Sequence, residues 1–375
     1  MKSEVYFTPC GAEHFSDSIL ARLVKMFDRV GAGSIIKEGE YVAVKAHFGE
    51  EGNVSFISPV YYRTIIDRIK LCGGNPFLTD TNTLYVGQRN NAIKHLALAN
   101  RHGFSFSAMD APVVIADGLL GADFVEVPIE NGKHFKKVKI ASSIYWANTV
   151  VVMSHCKGHA VTSFGAALKN IGMGGACRAG KQEQHSGFTP GYDTQKCTGC
   201  GECVEWCNFD ALKVVDGKII NDPKKCSGCG ECIPVCRFDA IGTKWDGDTD
   251  ATSEKIAEYA YGALKNKKDK KVFFNFLMNI TPECDCFPSS GKFLVPDIGI
   301  LASFDPVAID QASVDMINRA QVIHENVKDN KDYEMSLADT DKFKMAHPKS
   351  KWDIQLRHAQ EMGLGSREYE IIEVK

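Results

Sequence analysis

Short apolar runs rich in β-branched residues alternate with segments of helical period over the first 185 residues. Tyr41-Val42-Ala43-Val44-Lys45, Pro76-Phe77-Leu78-Thr79, Pro112-Val113-Val114-Ile115 and Thr149-Val150-Val151-Val152-Met153 each read as a buried strand. Between the first two, Val60, Ile65, Ile66, Ile69 and Leu71 fall at helical spacing, which predicts an amphipathic helix opening at Ser58-Pro59 and closing at Gly73-Gly74. Strand, helix, strand in that order favours a parallel sheet.

Over residues 187–247 the alternation stops, and cysteines, glycines and two near-identical short units replace it. The earlier pattern then returns, with strands at Lys271-Val272-Phe273-Phe274-Asn275-Phe276-Leu277 and Ile298-Gly299-Ile300-Leu301-Ala302 and helices over about 253–265 and 306–319. The prediction is an α/β domain with a mostly parallel sheet, built from residues 1–186 and 248–375 and interrupted by a small α+β insertion at 187–247. The charged stretch from Glu325 to Lys342 reads as a solvated helix or a mobile surface segment. A helix near Trp352 to Met362 and a strand at Tyr369-Glu370-Ile371-Ile372-Glu373-Val374 would tie down the C-terminus.

With 375 residues, 44% apolar and 24% charged, the chain can bury a substantial core. A formal net charge of -3 gives no global attraction to nucleic acid or an anionic membrane, so neither is expected as a partner. No apolar run approaches the roughly 18 residues that cross a bilayer, and Met1 to Phe7 lacks the zones of a signal peptide, which predicts a cytoplasmic protein. There, the 14 cysteines are better explained as metal ligands or reactive thiols than as disulfides.

Two units, from Asp193 to Leu212 and from Asp222 to Ile241, align without gaps at an offset of 29 residues. Each holds C-x2-C-x2-C-x3-C: Cys197, Cys200, Cys203 and Cys207 in the first, Cys226, Cys229, Cys232 and Cys236 in the second. Iron favours thiolate donors, and three closely spaced cysteines on a glycine-bearing loop can hold three corners of one cubic cluster. Gly199, Gly201, Gly228 and Gly230 suit loops that turn their amides toward cluster sulfurs, which often needs a positive φ. Zinc, the alternative, usually takes paired C-x2-C units and has no use for the third cysteine. The units closely resemble those of bacterial ferredoxins, in which the fourth cysteine of each run ligates the other cluster. That resemblance implies two [4Fe–4S] clusters, one on Cys197, Cys200, Cys203 and Cys236, the other on Cys226, Cys229, Cys232 and Cys207, with Ala211 and Ala240 beneath them. Asn208 and Arg237 stand where the ferredoxin run usually has proline.

Outside the repeat, the segment from Met153 to Cys177 carries the most chemistry. His155, Lys157 and His159 follow a predicted buried strand, and the carboxyl ends of strands are where open α/β sheets bind ligands. Lys45, His47, His155, Lys157, His159 and Lys169 could converge as cations and donors for a carboxylate or phosphate; the plainer alternative makes them surface groups or helix-cap partners. His155, His159, Lys169 and Asp80 are the candidate catalytic residues, and Lys45, His47, Lys157 and Asn170 the candidate ligand-binding ones. Asp310 could orient a histidine, or face solvent on a first helical turn. Gly172, Gly174 and Gly175 could admit a phosphate, although no Walker pattern accompanies them. If the strand before Pro282 neighbours the one ending at Met153, Cys284 and Cys286 could meet His155, Cys156 or His159 and hold a third metal or cluster. A redox-active thiol pair and unligated cysteines are the alternatives.

The Met153 to Cys177 segment, with Asp80-Thr81-Asn82-Thr83-Leu84-Tyr85-Val86-Gly87, Lys45-Ala46-His47-Phe48-Gly49 and Ser303-Phe304-Asp305-Pro306-Val307-Ala308-Ile309-Asp310, resembles the broad domain-of-unknown-function family of uncharacterised iron–sulfur centre proteins over nearly the whole chain. The resemblance implies an α/β host with an inserted two-cluster ferredoxin and supplies no settled substrate. The expectation is an iron–sulfur oxidoreductase relaying low-potential electrons between a soluble donor or acceptor protein and a small anionic ligand. The alternatives are a non-enzymatic electron carrier or assembly partner that docks another protein, and a redox sensor.

Overall fold

A computed structural model of the chain describes residues 2–12, 14–85, 87–185, 190–207, 209–226, 232–243, 248–289, 291–323 and 340–374. The central sheet contains eight strands: β1 (Ser3–Pro9), β2 (Tyr41–Lys45), β3 (Asn75–Asp80), β4 (Val113–Ile115), β5 (Thr149–His155), β6 (Lys271–Leu277), β7 (Gly299–Ser303) and β8 (Tyr369–Glu373). They run in the order β8-β1-β7-β6-β5-β2-β3-β4. Only β7 runs against its neighbours, pairing antiparallel with β1 and β6, while every other pairing is parallel. The fold is α/β, with the mostly parallel sheet that the alternating pattern predicts.

Helices cover both faces of the sheet, which is why the central strands read as continuous apolar runs instead of alternating. Every residue of β5 is buried. Val151 and Met153 pack with Leu23, Met26 and Phe27 of helix Ile19–Arg29 and with Ile65, Ile66 and Ile69 of helix Pro59–Leu71. Val150 and Val152 face the other way, with Ala257 and Ala260 of helix Thr249–Leu264, Ile309 of helix Pro306–Arg319 and Leu356 of helix Asp353–Glu361. Helix Pro59–Leu71 stops where expected: Gly73 takes φ +82, a left-handed cap that a side chain would strain. Helix Thr249–Leu264 starts earlier than the pattern placed it, because the Asp248 carboxylate accepts from the amides of Asp250 and Ala251 and caps an extra turn.

Between the halves of the sheet, the cysteine-rich segment contributes no strand to it among the described residues. Pro190–Tyr192 pairs with Ile241–Thr243 and Leu212–Val215 with Lys218–Asn221, both antiparallel. Short helices Glu202–Glu205 and Cys232–Val235 complete the segment. Its own apolar cluster joins Cys203, Leu212, Ile219, Cys232, Ile233, Val235 and Ile241 to one side chain from the sheet domain, Leu84. Nearby, Asn90 Nδ2 donates to Asp239 Oδ1 at 3.0 Å. Most of the charged stretch, 324–339, lies outside the described residues, but Lys342 at its end is buried and opens helix Lys342–Ala346. Among the described residues, no helix is long and apolar enough to cross a membrane.

Candidate functional site

The chain runs from β2 outward to β3 and β4, then returns to place β5 and β6 on the opposite side of β2. The crevice at such a reversal, outside the carboxyl ends of the strands, is the usual ligand position in an open parallel sheet. Lys45 ends β2, Asp80 ends β3 and His155 ends β5, and all three line a cavity of about 680 Å³. His47, Lys157, His159, Lys169 and Asn170 line it too. The structure thus brings together all eight residues expected to be catalytic or ligand-binding.

Their roles within the cavity differ. Lys45 Nζ is buried and donates to Asp80 Oδ1 at 2.9 Å, Asn170 Oδ1 at 2.8 Å and the Ala46 carbonyl at 2.7 Å. Asn170 Nδ2 in turn donates to the Met153 carbonyl, so Asn170 braces Lys45 against β5. Burial alone would raise the Asp80 carboxyl, but the charges of Lys45, His95 and Arg89 hold it below the usual carboxylate range. The buried Arg89 guanidinium touches Glu50 Oε2 at 3.2 Å, His47 Nε2 at 3.0 Å and the Tyr85 hydroxyl. Burial, then the charges of Arg89, Lys157 and Lys169, press His47 well below its ordinary value, so its ring is neutral.

His155 is a support residue. Its Nδ1 lies 2.9 Å from both oxygens of Asp285, and its Nε2 faces the carbonyls of Met278 and Asn279. Burial would raise Asp285, yet His155 and Lys157 hold it far below the usual range. Asp310 does not face solvent. It is buried and accepts from the amides of Ala167 and Leu168 at 2.9 Å each, fixing the start of the short helix Ala167–Gly172 that carries Lys169 and Asn170. Burial pushes its carboxyl up to about 6.

The remaining thiols divide according to the pleat of the sheet. β5 and β6 are parallel neighbours, with Phe276 opposite His155, so the loop after β6 reaches the segment after β5. His159, Cys284 and Cys286 place ligand atoms within 4.8 Å of one another, a trio able to hold a metal ion. Cys156, expected to join them, does not. Adjacent residues of a strand point to opposite faces, and Cys156 shares the face of Val150 and Val152, beside Asp310 and Ser313. Lys169 Nζ donates to Cys284 Sγ at 3.2 Å. A hydrogen bond from Cys286, with the charges of Lys169 and Lys157, holds the Cys284 thiol well below its ordinary value despite burial.

In the cysteine-rich segment, Cys197, Cys200, Cys203 and Cys236 line one small cavity, with Ala240 beside them. Cys236 comes from the second unit and the other three from the first. Burial and the neighbouring Cys236, Cys200 and Cys197 push the Cys203 thiol up to about 11. Cys207 of the first unit, with Cys226 and Cys232 of the second, surrounds Tyr192, whose hydroxyl burial and these sulfurs push far up. Cys229 lies outside the described residues. The repeat persists in the hydrogen bonds: Ala211 N donates to Cys207 Sγ and Ala240 N to Cys236 Sγ, each at 3.3 Å. Asp210 and Asp239 turn both loops at φ 50 and 51, and Gly199 and Gly201 take the positive φ expected of them. Where proline was missing, Arg237 instead reaches Glu202 at 2.7 Å.

Sequence reasoning missed Glu50, Arg89, Lys181 and His185, which also line the large cavity. Lys181 Nζ donates to the carbonyls of Asn82 and Ala176. No local pattern marks these residues; only the return of their segments to the strand ends brings them in. Asp285 stood in plain view between two cysteines, and its burial was the missing signal.

No curated protein matches the sequence. Among solved structures, the lactate racemase apoprotein of Thermoanaerobacterium thermosaccharolyticum aligns with a TM-score of 0.38 and 11% identity over 74% of this chain and 51% of that one. A protein from Thermotoga maritima aligns with a TM-score of 0.36 and 11% identity over 71% of this chain and 51% of that one. The chain therefore spans about half the length of either. The sequence model of a domain of unknown function, DUF362, matches residues 42–315, most of the sheet and all of the cysteine-rich segment, and the chain belongs to that family.

Proposed function

We propose that the chain is a cytoplasmic iron–sulfur oxidoreductase whose cysteine-rich segment is a two-[4Fe–4S] ferredoxin module and whose cavity takes a small anion. The observation that carries the reading is the crossed grouping of sulfurs: Cys236 of the second unit shares a cavity with Cys197, Cys200 and Cys203 of the first. One cluster would sit on those four cysteines, the other on Cys207, Cys226, Cys229 and Cys232. Such clusters supply low-potential one-electron transfer. Amides of Ile219, Ala211 and Ala240 aimed at the sulfurs fit negatively charged ligands. In the larger cavity, Lys45, Lys157, Lys169, Lys181 and Arg89 outnumber the carboxylates of Glu50, Glu51 and Asp80, which suits a carboxylate or phosphate.

The docking reading has an observation of its own. Trp206, Phe209 and Phe238 are 48%, 45% and 46% exposed, and Phe238 lines the same cavity as the exposed Cys200. This apolar rim suits a soluble electron-transfer partner and is compatible with enzyme activity in the other cavity.

Anaerobic purification with iron, sulfide and zinc analysis, followed by EPR of the reduced protein, tests the clusters. About eight irons per chain are expected for two [4Fe–4S] centres, and stoichiometric zinc in their place refutes the module. Reoxidation of the reduced protein by small carboxylates or phosphate esters carrying a reducible group then tests the oxidoreductase. Normal cluster cycling with no such acceptor refutes the oxidoreductase and favours the docking reading.

A further inference from the structure

Cys284 and Cys286 are absent from the repeat, yet Cys286 stands in the wall of the large cavity and Cys284 is buried against Lys169, which lines it. We propose that they form a redox-active dithiol, the two-electron relay between the clusters and the bound anion. The inference rests on the iron–sulfur reading above for its source of electrons, and on the following geometry for everything else.

The two cysteines occupy a turn closed by Phe287 N donating to the Cys284 carbonyl at 2.9 Å. The residue between them anchors the turn. Asp285 is fully buried, with its carboxylate against His155 Nδ1 at 2.9 Å and Ser55 Oγ at 3.2 Å, and its carbonyl accepts from Glu50 N at 2.8 Å. With Asp285 held from behind, both sulfurs are left near His159 and Lys169. Sulfurs this close can pair after a small rotation of their side chains.

A metal ion is the competing occupant, and Lys169 argues against it. Its ammonium donates to Cys284 Sγ at 3.2 Å and already supplies the positive charge that a thiolate needs. A second cation on the same sulfur would be repelled by that ammonium. His159 is tied into its own turn, with Nδ1 facing the amides of Val161 and Thr162 at 3.3 and 3.2 Å and the Thr162 hydroxyl at 3.0 Å.

The connection to the cysteine-rich segment is two residues long. Leu84 packs in the same apolar cluster as Cys203 and Cys232, and the hydroxyl of its neighbour Tyr85 donates to the Cys286 carbonyl at 3.3 Å. Two clusters, each passing one electron, match a couple that needs two. Reduction breaks the S–S bond with two electrons and one proton, giving a Cys284 thiolate beside Lys169 and a Cys286 thiol. In the forward direction the S–S bond reforms, and two electrons pass to an anion with a reducible carbonyl or double bond. One proton comes from Cys286 and the second from the Lys169 ammonium, which solvent then recharges.

The test uses the full-length, iron-loaded protein under anaerobic conditions. It is equilibrated with oxidised and reduced dithiothreitol at graded ratios, quenched with an alkylating reagent, and the peptide holding both cysteines is weighed. The expected result is a two-electron titration between a doubly alkylated peptide and an unalkylated disulfide. Lys169→Met, which removes the partner of the thiolate, should lower the dithiol-to-disulfide ratio at fixed buffer by roughly tenfold, the scale of one charge-assisted hydrogen bond, and Lys169→Arg should restore most of it. Full alkylation at every ratio overturns the proposal, as does a metal ion beyond the cluster iron that Cys284→Ser releases. Iron measured on the same sample separates the two readings: a titrating pair without iron supports the dithiol and refutes the clusters, and full iron with an inert pair does the reverse.

Discussion

Lys45 and Asp80 meet at 2.9 Å across the ends of neighbouring parallel strands, with side chains 0% and 4% exposed. A buried ion pair is a poor source of net stability, because desolvation consumes most of its attraction, but breaking one leaves a charge with no water and no partner. Arg89 approaches the other Asp80 oxygen only at 3.7 Å and the neutral ring of buried His95 at 3.8 Å, so Asp80 is the anion that makes the charges of Lys45 and Arg89 tolerable.

Asp80→Asn is therefore expected to destabilise the fold by about 3–5 kcal/mol, read as a fall in the urea midpoint at neutral pH. The double variant Lys45→Met with Asp80→Leu should recover most of the loss. A change below about 1 kcal/mol for Asp80→Asn would mean that water reaches the pair and that it behaves as a surface bridge.

Crossed ligation makes a sharper claim about iron. Cys236→Ser removes the one second-unit sulfur that, among the described residues, shares a cavity with Cys197, Cys200 and Cys203. Iron should fall from about eight to about four or five per chain, and the surviving EPR signal should lose any coupling to a second centre. If Cys207→Ser and Cys236→Ser each abolish the cluster of their own unit, the assignment is the wrong way round.

Much of the sheet was legible because its central strands are buried on both faces, and continuous runs such as Val150 to Met153 have no other economical explanation. Strand β1 left no such trace: only Val5 and Thr8 of its seven residues are buried. The eight cavity residues were readable one by one as chemistry at strand ends. Their partners were not, because Arg89 and Asp285 look like ordinary surface charges until the chain folds over them. The meeting of Cys284 with His159 depended on β6 lying beside β5, a long-range pairing that no local pattern encodes. Cys156 was misplaced for a simpler reason. It follows His155, and one step along a strand changes the face.

Gly158 tests how tightly that meeting is held. Its amide donates to the Thr281 carbonyl at 2.8 Å, and a Cβ at this position would collide with the Pro282 carbonyl. Gly158→Ala must push the Pro282 to Phe287 loop away from Lys157 and His159. Overpacking of this kind costs about 1–3 kcal/mol, and thermal unfolding should show it. Because the displaced loop carries Cys284, alkylation of Cys284 in the reduced protein should change rate as well; an unchanged rate would mean that the loop moves as a unit with its partners.

His358 offers a pH test remote from the cavity. Its Nε2 lies 3.1 Å from Glu258 Oε1, tying helix Asp353–Glu361 to helix Thr249–Leu264. Glu258 also accepts from the amides of Lys133, His134 and Phe135. The hydrogen bond to Glu258, outweighing burial, raises the His358 pKa above its ordinary value. A raised folded-state pKa means that the folded protein binds the proton more tightly. The stabilisation is complete below about pH 6.5, the unfolded value, and disappears as pH rises through the higher folded one. Buried His95 and His185, which burial brings down to about 3, act with the opposite sign on the acid side of pH 6.5. They are common to wild type and His358→Gln, so they cancel in the difference. That difference in urea midpoint should be largest near pH 6 and shrink toward zero by about pH 9; a constant offset across this range would show that His358 contributes packing and no proton-linked stability.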